Sequence, residues 1–184
     1  MSKSFLFLAD GFEEIEALAT VDVLRRAGMD VKTVSISDNK TLTGAKGMEV
    51  RADLTFKEAD FGGSDWLILP GGMPGAENLH TCAPLNDLIK VHHGRIASIC
   101  ASPSLVLGPT GVLRGLKATC YPGMEHDLVA GGGIYEADAR VVVTDRIITA
   151  CGPGATFEFA LAIVEATLGR AVAEQVSEAM LIKD

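Results

Sequence analysis

The sequence predicts an α/β fold in three layers, a mainly parallel central sheet between two layers of helices. Short apolar runs alternate with longer amphipathic stretches, the pattern of buried parallel strands joined by crossover helices. Twenty glycines among 184 residues supply the tight turns such a chain needs at its junctions. A composition 48% hydrophobic and 22% charged belongs to a chain that buries a substantial core and is too apolar to remain disordered.

Taken in order, residues 4–9 read as a first strand. A helix follows over 13–27, with Glu13, Glu14 and Glu16 at its positive end and Gly28 as its stop. Residues 31–36 form a second strand, and 41–55, with Gly44 and Gly47 between alternating residues, a small hairpin or edge strands. Residues 66–69 make a buried strand that ends at Pro70-Gly71-Gly72. A helix over 84–93 leads to the next central strand, 95–99, which runs straight into Cys100-Ala101-Ser102-Pro103. Beyond lie a helix to about 107, a strand over 118–121, two strands within 140–150, and helices over 155–168 and 171–180. The arrangement resembles the flavodoxin-like group, and with neither repeat nor linker it reads as one domain over residues 1–184.

Charge and patterning exclude several function classes. With 24 acidic against 16 basic residues the net charge is -8, which argues against DNA or RNA as the main partner. The longest uncharged stretch, 96–113, is broken by serines, glycines and prolines and cannot span a membrane. The apolar run at 5–9 meets Asp10 at once and is too short for an export signal, so a cytoplasmic protein with reduced thiols is expected. Cys82, Cys100, Cys120 and Cys151 are scattered without a C-x-x-C. His80 with Cys82, or His92 with His93, offers two metal ligands and no third, so no metal is expected.

In open α/β sheets ligands bind beyond the carboxyl ends of the strands, which singles out the loops 10–16, 70–75, 100–103 and 151–156. Cys100 follows a strand and opens a predicted helix, where free N–H groups and the helix dipole favour thiolate; the plain alternative is a small buried hydrophobe. Gly71 and Gly72 let backbone N–H groups approach an oxyanion, or simply make a tight turn. Gly152-Pro153-Gly154 has the same two readings and could accept a phosphate. Glu16 either complements the helix dipole or exchanges protons with a nearby sulfur. Neither a dinucleotide fingerprint nor a P-loop occurs.

Together, residues 9–16 (ADGFEEIE), 21–28 (VDVLRRAG), 69–72 (LPGG), 98–101 (SICA) and 152–165 (GPGATFEFALAIVE) resemble the DJ-1/ThiJ/PfpI superfamily across essentially the whole chain. The final segment, Arg170 to Asp184, resembles the additional C-terminal helix of its DJ-1-like branch. The resemblance implies that Cys100 is the nucleophile and redox-active cysteine, Glu16 the carboxyl that hydrogen-bonds it, and Gly72 and the Ala101 backbone the lining of an anion site. Tyr121 and Gly154 fall at the pocket rim. It also implies a cofactor-free homodimer; the first helix offers Ile15, Leu18 and Val21 as its apolar face.

The activities implied are glutathione-independent conversion of 2-oxoaldehydes and removal of their adducts from proteins or nucleotides. The alternative is an oxidative-stress sensor or chaperone. Three positions depart from the family pattern. Ala101 replaces the His that follows the nucleophile in the protease-like members, which removes the basis for peptidase chemistry. Tyr121 replaces the His that many DJ-1-like relatives carry before the proline at Pro122, leaving Glu16 as the proton carrier. Cys151 stands where a human member has Arg. The helix-start position predicts a Cys100 thiol below its free value of about 8.5, and its coexistence with Glu16 requires that carboxyl to be protonated, with its own pKa raised.

Overall fold

The computed structural model describes residues 3–182. Its main sheet has seven strands in the order β10-β11-β7-β6-β1-β2-β5, parallel throughout except for the antiparallel pair β10–β11. The strands are β1 (Ser4–Leu8), β2 (Val31–Ser35), β5 (Leu54–Thr55), β6 (Trp66–Leu69), β7 (Arg95–Ile99), β10 (Val141–Val143) and β11 (Ile147–Ala150). β3 (Thr41–Thr43) and β4 (Glu49–Arg51) form the expected hairpin, and β5 joins the sheet edge beside β2. The helices are α1 (Glu14–Arg26), α2 (Gly75–Thr81), α3 (Ala83–Val91), α4 (Gly108–Thr110), α5 (His126–Ala130), α6 (Thr156–Leu168) and α7 (Arg170–Ala179).

Strand alternation sorts the core into two layers. Leu6 and Leu8 of β1 face one side, where α1, α6 and α7 contribute Leu24, Phe159, Ile163 and Val176; Phe5 and Phe7 face the other, with Leu79, Leu85 and Leu128 from α2, α3 and α5. Both faces of β1 and β6 are covered, which is why these strands read as unbroken apolar runs. Trp66, the sole tryptophan, is buried, donates Nε1–H to Thr167 Oγ1 at 2.8 Å and lies under the Arg95 guanidinium. The end of α6 is thereby tied to the middle of the sheet. No described helix is long and apolar enough to cross a membrane.

The predicted three-layer α/β architecture holds, with local corrections. The chain after Cys100 forms a π-helical turn, Pro103–Leu107, before the single turn of α4, rather than an α-helix. The strand expected over 118–121 is reduced to β8 (Lys117–Ala118), paired with β9 (Ile134–Tyr135) outside the main sheet. Residues 119–121 leave the ladder: Thr119 N–H bonds to Thr149 Oγ1 and Tyr121 N–H to Cys100 O. Helices α2 and α5 lie in segments to which the sequence reading assigned no element. Of the predicted C-terminal segment to Asp184, the last two residues fall outside the described ones. Val21 points inward and is core, so the exposed apolar face of α1 consists of Ile15 and Leu18.

Candidate active site at the end of the central strands

β1 is followed by a helix and β2 on one side, whereas β6 and β7 lie on the other, so the order reverses between β1 and β6. The crevice beyond the strand ends at that point is where open α/β sheets bind ligands. Here the loop after β1, the Pro70-Gly71-Gly72 turn after β6 and Cys100 after β7 converge.

Cys100 has φ 65°, the left-handed region that costs a residue with a Cβ about 1–2 kcal/mol. Bonds from both directions hold it there. Its N–H donates to Ala150 O at 2.9 Å and its carbonyl accepts from Tyr121 N–H at 2.8 Å. Just beyond, the Ser102 hydroxyl donates to Pro70 O at 2.6 Å, fastening the π-helical turn to the end of β6. π-Turns recur at functional sites, and here the turn opens one residue after this clamp.

Glu16 is fully buried and reaches the same point from α1. Glu13 caps that helix, its carboxylate accepting Glu16 N–H at 2.8 Å. Gly71 then clasps the first turn twice, donating N–H to Glu16 Oε2 at 2.7 Å and accepting Glu13 N–H at 2.9 Å. A Cβ on Gly71 would lie 2.6 Å from Cys100 Cβ and 2.9 Å from Glu16 Oε2, so only glycine fits between these two side chains. Gly72 has φ +92° and is packed against the backbone of Gly11 and Glu13, which also requires glycine.

The second oxygen of Glu16, Oε1, is buried without a conventional partner, and the Cys100 side chain is the neighbour that influences this carboxyl alongside Gly71. Burial raises Glu16 to about 7, against the opposing pull of the Gly71 and Cys100 hydrogen bonds. Burial, followed by the charge of Glu16, also pushes the Cys100 thiol up, while the N–H groups of Gly72 and Ala101 favour thiolate. This reverses the lowered thiol expected from the helix-start position, because desolvation and a neighbouring carboxylate outweigh two N–H dipoles. The Glu16 expectation holds. The two groups titrate as one unit that sheds its first proton near 7 and resists losing the second.

The remaining predicted positions divide. Gly72 and Ala101 direct their N–H groups at the Cys100 sulfur, the arrangement of an oxyanion site. Tyr121 is half exposed, and its ring lies against Gly152. Gly154 is an exposed residue whose carbonyl is held by Arg140, itself paired bidentately with Glu158. Sequence reasoning singled out neither Gly71 as the partner of Glu16 nor Glu13 as the cap. Glu is not among the usual N-cap residues, so the sequence carried no signal for this cap. Among the described residues no three His, Cys, Asp or Glu side chains gather into a metal site.

Comparison with known proteins agrees with this geometry. The DJ-1/PfpI family profile matches residues 2–166. The chain belongs to the DJ-1/PfpI family. Within its DJ-1-like branch it is 36% identical to the Parkinson disease protein 7 homolog of Danio rerio, over 99% of this chain and 98% of that protein. Protein DJ-1 homolog B of Arabidopsis thaliana is 37% identical over 98% of this chain, which spans 42% of the plant protein's length. A glutathione-independent glyoxalase of Caenorhabditis elegans is 38% identical over 85% of this chain and 83% of its own. Among solved structures, Drosophila melanogaster DJ-1beta superposes with a TM-score of 0.94 at 32% identity over the full length of both chains. Oxidized Toxoplasma gondii DJ-1 gives 0.91 at 34% identity over 98% of each. Family membership makes this a reactive-cysteine protein of the DJ-1 type.

Proposed function

We propose that this chain, folded as one domain, is a cofactor-independent cysteine enzyme that converts small reactive 2-oxoaldehydes to 2-hydroxy acids, or removes their early adducts. One observation carries the reading: the buried carboxyl of Glu16, poised near 7, shares its hydrogen-bonding with Cys100 while two backbone N–H groups face the same sulfur. Transfer of the thiol proton toward Glu16 leaves a thiolate beside a carboxylic acid. The thiolate adds to the aldehyde carbon, and the new oxyanion takes the Gly72 and Ala101 N–H groups. Glu16, having given its proton to that oxygen, removes the hydrogen from the same carbon and returns it to the neighbouring one, while the hydroxyl proton passes to the former ketone oxygen, leaving a thioester of the hydroxy acid. Water hydrolyses the thioester and frees the sulfur. The worm relative's description as a glutathione-independent glyoxalase supports this choice of substrate class.

A second reading, a peroxide sensor, draws on the Toxoplasma relative solved in oxidized form. In it the Cys100 sulfinate accepts a hydrogen bond from protonated Glu16. Lactate formation from methylglyoxal by the purified protein, abolished by Cys100→Ser, supports the enzyme. Absence of lactate together with rapid peroxide uptake at Cys100 replaces it with the sensor.

We further propose a homodimer. Glu14 Oε1 accepts Lys46 N–H at 2.6 Å, which holds the loop leading to exposed Met48 at the start of α1, where Ile15 and Leu18 are exposed as well, and these three side chains are the proposed interface. A cytoplasmic location belongs to the same reading, with all four cysteines as free thiols.

A further inference from the structure

Cys151 is the residue whose position the proposed aldehyde chemistry does not use. β7 and β11 pair in parallel register up to Ile99 and Ala150. Cys100 N–H then donates to Ala150 O at 2.9 Å, which is the next rung of the ladder. In a parallel ladder a residue donating to position j−1 lies beside position j, so this bond sets the Cys151 backbone next to that of Cys100; the Cys100 side chain itself leans toward Gly71 and Glu16 and turns about its Cα–Cβ bond to meet Cys151. Neighbouring strands run about 4.8 Å apart, within the range of roughly 4.4–6.8 Å over which Cα atoms are bridged by a disulfide.

Layering separates this pair from the other thiols. Cys100 and Cys151 both pack against the core on the α1 and α6 side of the sheet, whereas Cys82 and Cys120 belong to the opposite layer. Cys120 is also fully buried, with its thiol pushed up to about 12 by burial and by Glu125, so it is poorly disposed to attack anything. Cys151 is only half buried.

We propose that Cys151 is the resolving cysteine for Cys100, so that peroxide oxidation ends in an intramolecular Cys100–Cys151 disulfide that thiols reduce. The inference rests on the reactive-cysteine reading of Cys100 and adds to it a peroxide-reducing cycle. In the first step the Cys100 thiolate attacks one peroxide oxygen; the S–O bond forms, the O–O bond breaks, and the leaving oxygen takes a proton from Glu16. This yields the sulfenic acid and water or an alcohol. The Cys151 thiol then gives up its proton and attacks the Cys100 sulfur; the S–S bond forms, the S–O bond breaks, and hydroxide leaves with that proton as water. Two electrons have passed from the two thiols to the peroxide. An external small thiol or protein dithiol returns them by exchange at the disulfide.

The test is intact-mass analysis and peptide mapping of the purified chain after one equivalent of hydrogen peroxide, quenched by alkylation. The expected product is two hydrogens lighter than the starting protein, with Cys100 and Cys151 peptides linked, both protected from alkylation, and the mass restored by dithiothreitol. Cys120→Ser gives the same product. Cys151→Ser instead gains one oxygen at Cys100, and a second with a second equivalent of peroxide. Wild type that gains oxygens at Cys100 without the lighter species overturns the resolving role and leaves the reactive cysteine standing, as does a bridge to Cys82, to Cys120 or between chains. No change at Cys100 in either wild type or Cys151→Ser overturns both.

Discussion

Glu16 controls two measurable properties through one proton. Its carboxyl is raised from 4.5 to about 7, so between those values the folded protein holds a proton that the unfolded chain releases. Stability from this group is therefore complete below 4.5 and is lost as pH rises through 7. The shift corresponds to about 3 kcal/mol. Denaturant titrations at about pH 4 and about pH 8 should show Glu16→Gln gaining on wild type by roughly that amount between the two conditions, a comparison in which the pH-independent cost of the substitution cancels. The same variant keeps a hydrogen-bond donor beside the sulfur but cannot carry a proton. Methylglyoxal turnover is expected to fall by about 10²–10⁴-fold while iodoacetamide still labels Cys100. Wild-type turnover in Glu16→Gln would remove Glu16 from the mechanism. In wild type the labelling rate should climb through about pH 7, where the pair sheds its first proton.

At the scale of elements, the Pro70-Gly71-Gly72 turn joins α1 to the strand that ends at Cys100, and its two glycines should fail differently. A Cβ on Gly72 would lie 2.3 Å from Glu13 N and 2.5 Å from Gly11 O, backbone atoms that cannot yield, and its φ is positive besides. Gly72→Ala is expected to lower unfolding free energy by at least about 2 kcal/mol in urea titration. In Gly71→Ala the added methyl meets Cys100 Cβ and Glu16 Oε2 instead, so Cys100 labelling and turnover should fall further than stability does. Periodicity made most of these elements legible: every main-sheet strand lies within a segment read as strand or edge strand, Cys100 was placed at a strand end, and Glu16 was placed in the first turns of the first helix. What escaped depends on three dimensions. Helix α2 begins at Gly75 directly after a proline and reads as turn, and α5 is a single short turn. The upward shift of the thiol comes from burial, which a strand-to-helix pattern does not reveal. The adjacency of the Cys100 and Cys151 backbones is a property of strand register, and no spacing within one chain encodes which residue of β11 meets which residue of β7.

For the whole molecule, Ile15, Leu18 and Met48 are the side chains on which the proposed homodimer is tested. Leu18→Glu is expected to leave the far-ultraviolet circular dichroism unchanged and to convert the dimer to monomer in sedimentation velocity; a wild-type monomer at micromolar concentration refutes the dimer. The position of β11 has a consequence for synthesis. β7 pairs on one side with β6, made earlier, and on the other with β11, made only after residues 101–146. On the ribosome, then, the backbone bond from Cys100 to Ala150 cannot close until the chain is most of the way out, and Tyr121, which holds the other side of Cys100, also comes later. Throughout that interval the sulfur stands at an open sheet edge with no cysteine opposite it. Stalled nascent chains ending before β11 should accordingly be alkylated at Cys100 faster than the released protein, and oxidation met during translation should add oxygen to Cys100 where the finished chain would form a bridge.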